Sequence, residues 1–232
     1  MAKHPNAPHR AAEDPDDRFV AGVMAGGDWF KRNSRTVTIA AIALFILVAG
    51  SLYWIRYQRA LREAASAELS AIRQTIATGN TPLALRDLSA FLESFSDTPS
   101  GRDGSLMMAQ LLLLEGRNEE ALDAVYELSR DLNDPLGASA ARLAAAAHEQ
   151  AERWEEAEAE YLRISTDAAR RFERNRALAD AGRVRMQRGD AAGAAELYRR
   201  ALDAFPENDP QVPLLRLRLG EAQAEAQAQA GA

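Results

Sequence analysis

The sequence predicts an all-α protein: a single transmembrane helix, then an α-solenoid of about four similar helix pairs, then a C-terminal capping helix. Three observations carry this expectation. Alanines recur at Ala84, Ala121, Ala157 and Ala194, at spacings of 37, 36 and 37 residues, and a period of this size marks stacked supersecondary units. A glycine stands five residues before three of them, at Gly79, Gly116 and Gly189, where a tight turn between helices wants a left-handed residue. Val37–Ile55 is a run of 19 residues without a charge.

Residues 1–36 form a leader. Met1–Asp17 is rich in Ala, Pro, Asp and His, shows no apolar periodicity and reads as disordered. Phe19, Val20, Val23 and Met24 offer one or two helical turns before Gly26-Gly27 ends them.

Residues 37–55 are the expected transmembrane helix. At about 1.5 Å per residue the run is about 28 Å long, close to the hydrocarbon thickness of a bilayer. Lys31, Arg32 and Arg35 precede it, and Arg56, Arg59 and Arg62 follow. Trp29 and Phe30 flank one end and Tyr53, Trp54 and Tyr57 the other, as interfacial aromatics do. A buried globular helix would have to accept this run beside six cationic residues. A cleaved signal peptide, with Val48 and Gly50 as the small residues before the cut, conflicts with the apolar continuation Leu52–Ile55 and the long leader. Arg and Lys are tied at four on each side (Arg18, Lys31, Arg32, Arg35 against Arg56, Arg59, Arg62, Arg73), so charge does not orient the span. A short leader before a long C-terminal domain favours the N-terminus inside.

Residues 56–212 are the solenoid. From Arg56 no breaker interrupts the helix until Gly79, so span and first solenoid helix are expected as one element. Thr81-Pro82, Asp134-Pro135 and Asp209-Pro210 read as helix starts. Asp97–Ser105, with Pro99, Gly101 and Gly104, reads as a loop. Asn175–Asn208 is the fullest unit. Gly182 lets two helices approach, Gly189 turns the chain, Ala194 and Ala201 give close contact, Tyr198 fills the groove and Pro206 stops the helix. Residues 213–232 are the cap and tail. Leu214, Leu215, Leu217 and Leu219 are expected to cover the last unit, and the alternating Ala, Gln and Glu of Ala222–Ala230 suit a capping helix with one face packed on that unit and one in water.

Composition narrows the function. The chain of 232 residues carries a net charge of −6. Residues 56–232 hold 22 Arg against 29 Asp plus Glu, 22 − 29 = −7, which disfavours nucleic acid. The absence of cysteine excludes disulfides and thiolate metal sites. Lys3 and Lys31 are the only lysines, a bias that codon usage explains. There is no phosphate loop, GxGxxG, HExxH or nucleophile elbow. No enzyme activity, cofactor or metal is expected. His148 reads as a packed or solvated histidine, and Glu155, Glu156, Glu158 and Glu160 as solvated charge at a helix start.

The A-x3-Y step at Ala194–Tyr198, repeated at Ala157–Tyr161, and the 34-residue unit ending near Pro206 resemble the tetratricopeptide family from about Ala65 onward. With the span, and with Trp29–Lys31 and WIRY at Trp54–Tyr57 as local matches, the chain resembles the YfgM-type family. That resemblance implies a bacterial inner-membrane protein with a periplasmic repeat domain, acting with the Sec translocon, with unfolded or nascent envelope proteins or with another chaperone. The first helices of the units would supply the partner-binding face: Leu69, Arg73 and Ile76, Leu106, Gln110 and Leu113, Arg142 and Glu149, Arg176 and Arg183. They lack the Asn–Lys set of a carboxylate clamp, so a C-terminal acidic motif is not the expected ligand. The leucines either line an apolar groove or pack between helices. A scaffold that holds an envelope or division complex at the membrane is the competing reading.

Overall fold

A computed structural model of the chain describes residues 33–231; the expectations for the leader lie outside them. Among the described residues there are nine helices: α1 (Ser34–Ala77), α2 (Thr81–Phe95), α3 (Pro99–Leu114), α4 (Asn118–Ser129), α5 (Gly137–Gln150), α6 (Trp154–Asp167), α7 (Arg171–Gln187), α8 (Ala191–Ala204) and α9 (Val212–Ala230). The chain divides into two units, residues 1–59 and residues 60–232.

In the first unit the described residues after Asn33 belong to α1. Its apolar side chains are exposed: Leu44, Phe45, Ile46 and Leu47 at 63, 73, 64 and 67%. This is the one helix among the described residues long and apolar enough to cross a membrane. A packed core helix would bury such residues, and nothing in its most apolar stretch is buried.

The second unit is a solenoid in which, from α2 onward, each helix packs on the next. The periodic alanines are the fourth residues of α2, α4, α6 and α8, and all four are buried. A methyl group there lets each of these helices lie close against its neighbours. Five residues earlier the backbone turns left-handed every time, at Gly79 (φ +78°), Gly116 (+71°) and Gly189 (+78°), and in the third unit at Glu152 (+57°). Glu152 is exposed and bears the steric cost that its glycine counterparts avoid. Glu152→Gly is therefore expected to stabilise the domain by roughly 1 kcal/mol, raising Tm by about 2–4 °C in a thermal melt.

Two hydrophobic cores meet in α5. Ala140, Ala144 and Ala147 join the first core with Leu69, Leu88, Phe91 and Leu112, while Ala138, Ala141 and Ala145 join the second with Ile164, Val184, Leu197 and Tyr198. The alanine-rich sequence of this helix is what allows packing on both sides. Ala141→Leu inserts three carbons between helices and is expected to cost about 1–3 kcal/mol, read as a lower urea midpoint.

Several helix starts differ from the sequence-based expectation. Asp97–Ser105 is not a loop. Thr98 caps α3 through Gly101 N (2.9 Å), Pro99 opens it, and Gly101 and Gly104 lie inside it. A Cβ on Gly101 would collide with the Phe95 carbonyl oxygen, and one on Gly104 would sit 2.9 Å from the Phe91 ring. These glycines serve close packing, not chain reversal. Asn80 rather than Thr81 caps α2, accepting from Leu83 N (3.2 Å). Asp134 and Asp209 accept from the amides two residues on, Leu136 (2.8 Å) and Gln211 (2.9 Å). They form Asx turns that precede α5 and α9, whose first residues are Gly137 and Val212.

The cap is also corrected. Val212, Leu215 and Ala222 of α9 are buried and Leu219 packs partly on the same core. Leu214 and Leu217 are exposed at 49 and 59%. Spacings of three, four and three residues place 212, 215, 219 and 222 on one face, and 214 and 217 fall off it.

Candidate interaction face

The expected partner-binding residues lie on the first helix of each pair: α1, α3, α5 and α7. The structure divides them into an apolar and a charged set. Leu69 and Leu113 are buried in the first core, and Ile76 and Leu106 are half-buried against it. The leucines therefore pack chiefly between helices, and the exposed apolar groove is not formed by all four. Leu114, next in the same run, is the one that points out, at 80% exposure. Gln110 is exposed, and exposed Arg73 approaches Asp103 of α3 at 3.9 Å.

The charged set is brought together. The Arg183 guanidinium of α7 grips the Glu149 carboxylate of α5 with two nitrogens, one at 2.9 Å. Tyr161 of α6 donates to the same carboxylate at 2.7 Å. Burial pushes the Glu149 carboxyl up, but the hydrogen bonds from Arg183 and Tyr161 outweigh it and hold the group below the ordinary glutamate range. Burial and the bond to Glu149 push the Tyr161 hydroxyl up. Asp180 lies beside this cluster, 3.8 Å from Arg183 and 3.9 Å from Arg176. Its carboxyl is raised by burial, against the pull of Arg183, Arg176 and Arg142. Glu149 and Arg183 thus fasten the third pair to the fourth.

A depressed Glu149 stabilises the fold above the ordinary glutamate pKa, and that contribution is lost as pH falls through the lower folded value. Glu149→Gln is expected to lower stability near neutral pH by about 1–3 kcal/mol, leaving Arg183 without its carboxylate. The deficit should shrink below about pH 4, where the wild-type carboxylate protonates. Melts of both proteins between pH 3 and pH 7 check this.

Three charges that the sequence presents as solvated are paired. Glu158 is buried and accepts from Arg185 Nε (2.6 Å) and Arg188 Nη1 (2.7 Å). Glu155 pairs with Arg188 at 2.8 Å, and Glu160 with Arg163 at 2.8 Å. The acidic stretch at the start of α6 is therefore partly consumed by α7. His148 is half-buried with an unpartnered Nδ1, and burial and Arg153 push its imidazole down.

Sequence reasoning missed Asp180, Leu214 and Arg218. They line a cleft with Arg176 between α7 and α9. The Arg176–Asp180–Arg183 spacing places Asp180 on that face; α9 reads in sequence as a cover alone, which hides the other two.

Stacked helix pairs joined by left-handed turns, with small residues at fixed positions, define a helical-repeat protein of the kind that binds other proteins. The family model for the tetratricopeptide repeat-like domain matches residues 27–224, and the chain belongs to that family. No curated protein matches its sequence. In fold it is similar to the crystal structure of nearly identical TPR-like repeats from a kinesin light chain, so assigned, of Podosopora anserina. That structure is 16% identical, with a TM-score of 0.57, over 73% of this chain and 90% of that one. A crystal structure of a substituted variant of the same repeats gives 17% identity and the same coverage and TM-score.

Proposed function

We propose that this is a single-span inner-membrane protein that presents its repeat domain in the periplasm, where it assists protein secretion or envelope-protein folding at the translocon. The repeat fold makes it a protein–protein interaction module. What carries the proposed anchor and site of action is the exposed apolar stretch of α1, flanked by basic residues, within a family match that begins ahead of it, at residue 27. Tyr53, Trp54 and Tyr57 support it, clustered where the apolar run ends with ring centroids 6.3–6.4 Å apart, as an interfacial belt requires.

The competing reading is a scaffold for one fixed partner in an envelope or division complex. The burial of Leu69 and Leu113 favours it, because these leucines are then withdrawn from any apolar channel for unfolded chains. Photocrosslinking from position 106 or 110 in living cells tests the proposal. Crosslinks to many nascent or unfolded envelope proteins are expected. A single recurrent partner would contradict the secretion role and establish the scaffold.

A further inference from the structure

The cleft between α7 and α9 has a volume of about 360 Å³. Arg176 and Arg218 line it against a single carboxylate, Asp180, and Leu214 and Leu215 form its apolar side. Arg218 is half-buried, yet neither it nor Arg176 donates a hydrogen bond among the described residues. The nearest ionic approach of Arg176, to Asp180, is 3.9 Å. Arg142 of α5 also pulls on the same carboxylate and is likewise half-buried without a hydrogen bond among the described residues. Arg183, the next cation, is already held by Glu149 through two of its nitrogens. Guanidinium groups carry five donors in a planar fork that matches a carboxylate. Donors left idle beside an exposed leucine describe a place prepared for an acid next to an apolar group.

We propose that this cleft binds an acidic segment of a partner polypeptide, its carboxylate on Arg176 and Arg218 and an adjacent apolar side chain on Leu214. The inference rests on the reading of the domain as an interaction module and names the chemistry of its partner. The excess of guanidinium over carboxylate within the cleft supplies the charge complementarity. The acidic balance of the domain as a whole disfavours nucleic acid as the occupant. Two further carboxylates stand near the cleft: exposed Glu221, one turn beyond Arg218 on α9, and Asp209, which accepts from the amide of the lining residue Gln211 at 2.9 Å; neither forms an ion pair among the described residues.

The test is fluorescence anisotropy with the full chain in detergent micelles. The probe is an acetylated, amidated peptide with Glu-Leu-Glu-Leu-Glu at its centre; controls carry Gln for Glu, or the same sequence with a free C-terminus. Binding by the Glu peptide and a loss of about tenfold or more with the Gln peptide are expected. R176Q/R218Q should lose about tenfold or more while its melting temperature holds, since neither residue makes a close ion pair. R86Q, at an exposed position of α2, should bind as wild type. A free C-terminus that binds tighter still would identify the terminal carboxylate as the acid held. Equal binding of Glu and Gln peptides, unchanged binding by R176Q/R218Q, or no binding at millimolar peptide overturns the proposal. Crosslinks from position 106 would survive that failure, which separates it from failure of the interaction role itself.

Discussion

Removal of α9 is expected to produce the largest loss of stability of any change considered. A domain starting at Arg56 and ending at Asp209 loses the buried Val212, Leu215 and Ala222 and the partly buried Leu219. Fully buried Val and Leu side chains contribute about 1.5–3 kcal/mol each, and with smaller shares from Leu219 and Ala222 roughly 4–8 kcal/mol of burial disappears. The face of α8 that they cover, in the core of Leu197, Tyr198 and Ala201, opens to water. The expected result is a fall in Tm of more than about 10 °C and concentration-dependent aggregation in light scattering. Ending the chain after Gln223 keeps all four residues and removes one weak tie, Gln229 Nε2 to Gly189 O at 3.2 Å. That version should melt within about 2 °C of the whole domain.

Tyr198→Ala is expected to rank second. Tyr198 is among the largest fully buried side chains, and its ring lies against Gly182, where a Cβ would meet Cε1 at 2.8 Å. Truncation leaves a cavity at the junction of α7 and α8, at a cost of about 3–5 kcal/mol. Gly182→Ala should cost less, about 1–3 kcal/mol, by crowding the same ring. The double variant should then be more stable than the sum of the two losses implies, because the new methyl enters space the ring has left. Urea titration of the four proteins measures that coupling, and strict additivity would show that the contact is unimportant.

This pair also shows what is legible in the sequence. Gly182 and Tyr198, sixteen residues apart, are readable because close helix approach demands a glycine opposite a large ring. The turn glycines, the buried alanines and the apolar stretch of α1 follow from equally local rules. The α3 start is not, because the same Pro-Gly-Gly composition that marks loops also builds a capped, closely packed helix. The partition of α9 into Leu215 and Leu219 inside, Leu214 and Leu217 outside, depends on its rotation against α8, which no periodicity in a leucine-rich stretch fixes. The fate of Glu158 is hidden for another reason. Its partners Arg185 and Arg188 are 27 and 30 residues away, and pairing at that distance is a property of the stacking. Burial of Leu69 and Leu113 likewise depends on how closely neighbouring helices approach.

Orientation across the membrane is the central claim, and the cysteine-free chain makes it directly measurable. Gln110 is exposed on α3 and makes no hydrogen bond through its side chain among the described residues, so Gln110→Cys introduces one accessible thiol without disturbing the fold. Spheroplasts expressing this variant, and a second with Ala12→Cys in the leader, are treated with a membrane-impermeant maleimide before and after lysis. Position 110 is expected to label fully in intact spheroplasts and position 12 only after lysis. Labelling of position 110 that requires lysis would place the repeat domain in the cytoplasm and contradict the periplasmic assignment.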